Sequence, residues 1–82
     1  MQRMDKVGLT PVQNEVYNFL RMYHREHGVF PTVKECCAGK IDGEPVIKKR
    51  SSTNGMHRIL KGLEERKWIE IMPMRGRAIR LL

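Results

Sequence analysis

With 82 residues the chain has room for one hydrophobic core, too small to wall a large enzyme cavity. Hydrophobic residues at 40% and charged residues at 30% exclude a disordered polymer, and no apolar run approaches the ~18 residues that a membrane span needs. Sixteen Lys and Arg against nine Asp and Glu leave a net charge of +7. That surplus is local: residues 1–32 carry four basic and three acidic side chains, residues 33–82 twelve and six, as expected of a surface that meets a polyanion.

Residues 1–8 are polar and patternless, a short flexible lead with no apolar stretch that could serve as a signal peptide. Thr10 and Pro11 open the first helix, Thr10 as N-cap and Pro11 at a position whose N–H would be orphaned in any case. Val12, Val16, Phe19, Leu20 and Tyr23 make one apolar face, and Gly28 supplies a left-handed C-cap, so the helix runs from about 11 to 27. Val29, Phe30 and Pro31 form an extended connector. Thr32 and Glu35 have the spacing of a capping box, which starts a short second helix at Val33 that Gly39 ends; its inward face is Val33, Cys36 and Cys37.

Residues 40–50 have no helical period, and the Asp42-Gly43 pair and Pro45 predict an inserted loop with at most one hairpin turn. Ser52 caps a third helix of about 14 residues, roughly 21 Å long and thus able to lie in a major groove. Met56, Ile59, Leu60 and Leu63 form its apolar stripe, while Asn54, His57, Arg58, Lys61 and Glu65 form a polar, mostly basic one. Trp68 to Met72 reads as a strand, Pro73 to Gly76 as a turn and Ala78 to Leu82 as the returning strand.

The predicted fold is mainly α with a C-terminal β-hairpin: three helices plus a two-stranded wing over residues 9–82, the order of a winged helix-turn-helix. In that arrangement the third helix enters the major groove and the wing touches the DNA backbone. Asn54 has the donor and acceptor to pair with adenine, and Arg58 suits guanine. Lys48, Lys49 and Arg50 on one side, and Arg75 and Arg77 on the other, flank the helix as phosphate contacts, with Lys61 on its own face.

The combination of Leu9-Thr10, Gln13, Glu15-Val16, Gly28, Pro31-Thr32, Ser52, Asn54, Leu60-Lys61, Leu63, Ile69-Glu70-Ile71 and Ile79-Arg80-Leu81-Leu82 resembles the N-terminal DNA-binding domain of the LexA family, the bacterial SOS-response repressors. The resemblance covers about residues 9–82. It implies that Ser52, Asn54, Gly55, His57 and Arg58 read the operator. Only Ser52 and Asn54 keep the residue types typical of the family. His57 and Arg58 stand where glutamates are frequent, and because Arg prefers guanine while a carboxylate prefers cytosine, the operator should differ from an SOS box. The turn between the second and third helices is also longer here, with Asp42 to Lys49 as extra material. The family's Ser/Lys self-cleaving domain, which also dimerises it, is not among these 82 residues. The expectation is either a free-standing small bacterial or phage regulator without self-cleavage, the favoured reading, or a fragment of a longer chain.

The partners expected are double-stranded DNA and, because one small domain binds weakly, a second copy on a palindromic site. The alternative is a winged helix that binds and inhibits or recruits a protein partner. No nucleophile–base pair, carboxylate pair or metal cluster stands out, which argues against an enzyme, and neither cofactor nor metal is expected. Cys36 and Cys37 are adjacent, unsuited to a disulfide framework, and read as core residues of a protein of the bacterial cytoplasm or nucleoid. His24 and His27 read as solvated side chains, and Trp68 as core beneath the wing.

Overall fold

A computed structural model describes residues 8–72 and 78–82. The first element is helix α1 (Pro11–His27), which carries a local signal at each end. At its start the Thr10 hydroxyl accepts from the Gln13 N–H, and the Gln13 side chain accepts from the Thr10 N–H in return. At its end Gly28, with φ 74°, donates its N–H to the His24 carbonyl. Helix α2 (Val33–Ala38) repeats the device with Thr32 and Glu35, and closes on Gly39 at φ 66°. Each reciprocal pair satisfies two donors that a helix start leaves orphaned.

Residues 40–50 are more ordered than a loop. Strands β1 (Lys40–Ile41) and β2 (Glu44–Pro45) pair antiparallel across Asp42 and Gly43, whose φ values of 54° and 81° both lie in the left-handed region. A two-residue connection with two positive φ values is the type I′ turn whose twist matches a hairpin. The excursion returns to its root, where the Gly39 carbonyl accepts from both Val46 N–H (2.8 Å) and Ile47 N–H (3.1 Å). A Cβ at position 39 would lie 2.5 Å from the Ile47 carbonyl oxygen, so the glycine is required both for its φ and for that close approach.

Helix α3 (Thr53–Glu65) follows, then strands β3 (Ile69–Ile71) and β4 (Ile79–Leu81), which pair antiparallel with Glu70 opposite Arg80. The molecule is thus three helices with a C-terminal two-stranded hairpin, plus a second small hairpin between α2 and α3. The core is one cluster: Val16, Phe19 and Leu20 from α1, Cys36 and Cys37 from α2, Ile41, Met56, Leu60 and Leu63 from α3's inner face and its neighbour β1, and Ile69 and Ile79 from the C-terminal hairpin. Trp68 lies at the edge of this cluster rather than inside it, half-buried, with its ring edge-on to Tyr17 at 5.0 Å. It precedes β3 instead of belonging to it. The chain leaves α3 through Lys67 at φ 65°, a left-handed residue that is not glycine.

Both cysteines are free and buried. Burial pushes the Cys36 thiol up to about 12, with Cys37 and Glu35 adding to the shift. A thiol so disposed stays protonated and unreactive, which suits a core residue and not a redox sensor.

Candidate nucleic-acid interface

The candidate surface is the outer face of α3. The inner stripe of Met56, Leu60 and Leu63 is at most 1% exposed. With about 100° between successive residues, the opposite stripe must then be Asn54, His57, Arg58, Lys61 and Glu65, and all five are exposed. Gly55, on the flank of this stripe, is exposed as well. Its missing Cβ would have no neighbour within 4 Å among the described residues.

The start of the helix is held by a residue that sequence reading assigned only to the core. The Cys37 carbonyl accepts from the Arg50 N–H at 2.8 Å, and the Cys37 thiol donates to the Ser52 carbonyl at 3.8 Å. One α2 residue thereby grips the segment that enters α3 at two points, after the inserted hairpin has closed. This is how α2 and α3 stay in contact although residues 39–52 separate them. The Ser52 hydroxyl accepts from the Asn54 N–H at 3.2 Å. A hydroxyl keeps its own O–H for a second partner, so capping leaves Ser52 a donor.

Lys48 and Lys49 are exposed immediately before this N-terminus. Arg50 differs: it is half-buried, and its Nε is enclosed without a hydrogen-bond partner among the described residues. Lys61 stands 3.7 Å from Glu64, an exposed pair of small energetic weight. Arg75 and Arg77 lie outside the described residues.

Glu64 is the other residue that sequence reading passed over. Besides facing Lys61, its carboxylate accepts from the Ile71 N–H at 3.1 Å. The bonds that flank the two strands, Met72 N–H to the Ala78 carbonyl and Leu82 N–H to the Trp68 carbonyl, put the even-numbered positions toward β4, so the Ile71 N–H belongs to the other edge of β3. Glu64 caps that edge and ties the hairpin to α3. A groove of about 550 Å³ lies between the two, lined by His57, Arg58, Lys61, Glu64 and Ile71.

Charge along this stretch is one-signed. Between Glu44 and Glu64 the chain carries Lys48, Lys49, Arg50, Arg58 and Lys61 and no carboxylate. Of the acidic residues beyond or at its ends, Asp42 stands 3.4 Å from His27 on α1 and Glu70 pairs with Arg80 on the C-terminal hairpin, while Glu64 stays on the groove beside Lys61. His27 and His24 are both exposed, His24 stacked on Phe30 at 4.2 Å. Among the described residues no group of three or more His, Cys, Asp and Glu is placed to hold a metal ion. No helix among them is long and apolar enough to cross a membrane.

No protein-family model matches the chain, and no curated protein matches it.

Proposed function

We propose that this chain is a sequence-specific double-stranded DNA-binding regulator of transcription, a repressor that acts by occupying its operator in the bacterial cytoplasm. The observation that carries the reading is the stripe of Asn54, His57, Arg58 and Lys61, exposed along one side of a helix whose Met56, Leu60 and Leu63 are buried on the other. A 13-residue helix is about 20 Å long, matched to a major groove. Its N-terminal turn bears no acidic side chain, so the unpaired N–H groups and the helix dipole favour a phosphate there.

In this reading Asn54 pairs with adenine and Arg58 with guanine, His57 and Ser52 contact neighbouring base edges, and Gly55 lets the duplex approach. Lys48, Lys49 and Lys61 hold phosphates, with Arg75 and Arg77 doing so from the connection between β3 and β4. Arg50, half-enclosed, contributes its charge more than a contact. The LexA-like order of helices and wing supports the same docking. The bases read differ from those of an SOS operator because His57 and Arg58 are donors where that family presents acceptors.

The test is selection of bound duplexes from a random DNA pool, followed by affinities for winners and unselected DNA at two salt concentrations. A shared motif bound about 1,000-fold tighter than unselected DNA is expected, that being the lower end for specific readers. If about five phosphates are neutralised per protomer, log K should fall with log[salt] at a slope near −4.5. A two-fold repeat in the motif would reveal a dimer. Weak, steeply salt-dependent binding without a motif would overturn base readout.

A further inference from the structure

Helix α1 presents a second surface, on the side of that helix turned away from its buried stripe. Its buried stripe of Val16, Phe19 and Leu20 packs toward α3, so residues half a turn round the helix face away. There, a groove of about 570 Å³ runs between α1 and β4, lined by Asn18, Arg21, Met22, His24, Arg25 and Leu81. The floor is apolar: Met22 and Leu81 are half-buried, resting on the core cluster. The rim is cationic. Arg21 and Arg25 stand one helical turn apart, both exposed, and neither carries an ion pair among the described residues. His24 is pinned beside them by its parallel stack on Phe30.

The neighbouring cation is spent. Arg80 Nε lies 2.6 Å from Glu70 Oε1, and strand alternation puts Arg80 on the sheet face opposite Leu81. What remains is an apolar slot beside two unpaired guanidinium groups at helical spacing. Phosphate alone would use the arginines and leave Met22 and Leu81 uncovered. An apolar side chain flanked by carboxylates uses both, the side chain seated on Met22 and Leu81 and each carboxylate taking a planar guanidinium in bidentate fashion.

We propose that the α1–β4 groove docks a segment of a partner protein in which an apolar side chain is flanked by acidic ones. This docking does not depend on the DNA-reading proposal. Only its consequence does: because this groove and the one beside α3 share no lining residue, a DNA-bound copy could hold the partner at the same time.

The experiment uses the full chain labelled with nitrogen-15, titrated with three probes and followed by amide shifts. The first probe is a short synthetic peptide alternating Asp and Glu with Leu and Phe. The second is the same peptide with Ser in place of Leu and Phe, and the third is a random-sequence DNA duplex. The first should shift Asn18, Arg21, Met22, Arg25 and Leu81 together, and the second should bind about tenfold more weakly or worse. The double change Arg21→Glu and Arg25→Glu should weaken the first peptide by about tenfold or more, since it removes two attractions and adds two repulsions. Arg21→Gln with Arg25→Gln, which removes the positive charges without adding negative ones, should give a smaller loss of the same sign. Lys48→Glu with Lys49→Glu should leave peptide affinity unchanged. Equal affinity for the Ser peptide, shifts centred on α3, or stronger groove shifts from the duplex than from the peptide would each overturn the proposal.

Discussion

The two faces of α3 are built under opposite constraints. Met56, Leu60 and Leu63 meet α1, α2 and the C-terminal hairpin with essentially no exposed surface, so each is specified by the volume around it. Asn54, His57, Arg58 and Lys61, one half-turn away, touch mainly solvent. Nothing in the fold requires a histidine rather than a glutamate at position 57, or an arginine at 58. The inner face therefore carries information about architecture, and the outer face is free to carry information about a partner. Substitutions on one face should move stability, and on the other binding, with little crossing over.

The largest effect expected is on the inner face. Leu63→Ala should destabilise the domain by about 2–5 kcal/mol, the transfer loss plus a cavity that three packed elements cannot fully close. At about 4–8 °C per kcal/mol for a domain of this size, thermal unfolding followed by circular dichroism should show a large drop in midpoint. The motif selected by the remaining folded protein should not change. A loss well under 1 kcal/mol would mean that the inner face is not the packed core described, and the division between the faces would go with it.

On the outer face, Arg58→Ala should lower affinity for the selected duplex by about 1–3 kcal/mol and relax one base position. Stability should stay within about 0.5 kcal/mol of the starting protein, as for surface changes generally. Affinities for the selected duplex and for its single-base variants decide the matter. Equal loss on every sequence would make Arg58 a phosphate contact and move base reading to Asn54 and His57.

How much of this was readable in the residues follows from how local each signal is. The Thr10 cap, the Thr32–Glu35 capping box, the glycines that end α1 and α2, and the apolar stripe of α3 are written within one or two helical turns, and the structure places all of them where the pattern does. The return bond from Gln13 that completes a box at Thr10 was not read. The Asp42-Gly43 turn was legible, but the hairpin around it closes through backbone groups of Gly39, Val46 and Ile47, and backbone bonds leave no side-chain signature. Lys67 in the left-handed region was not legible, because the usual marker there is glycine or asparagine. Cys37 and Glu64 act across 15 and 7 residues of sequence, respectively. Their local patterns say only core cysteine and helix-surface glutamate. The exposed stripe was legible as a stripe. Its separation from the basic rim of the α1–β4 groove was not, since that needs the tertiary arrangement.

The smallest effect is the sharpest test of the comparison between the faces. Gly55 sits in the helix with ordinary negative φ and open space around its absent Cβ, so the fold has no use for a glycine there. Alanine would restrict the unfolded chain and suit the helix better, and Gly55→Ala should raise stability by about 0.5–1 kcal/mol. Gly62 supplies the contrast. A Cβ at that position would come within 2.6 Å of the Gln13 side-chain nitrogen, so a substitution there must move the end of the side chain that closes the capping box of α1, whereas one at Gly55 moves nothing. If the duplex approaches α3 at its first turn, the methyl group of Gly55→Ala fills space that the DNA occupies, and operator affinity should fall while the melting temperature rises. Opposite signs in the two measurements would place Gly55 under the partner's constraint rather than the fold's. A gain in stability with operator affinity unchanged would remove Gly55 from the reading face and shift the docked duplex toward Arg58 and Lys61.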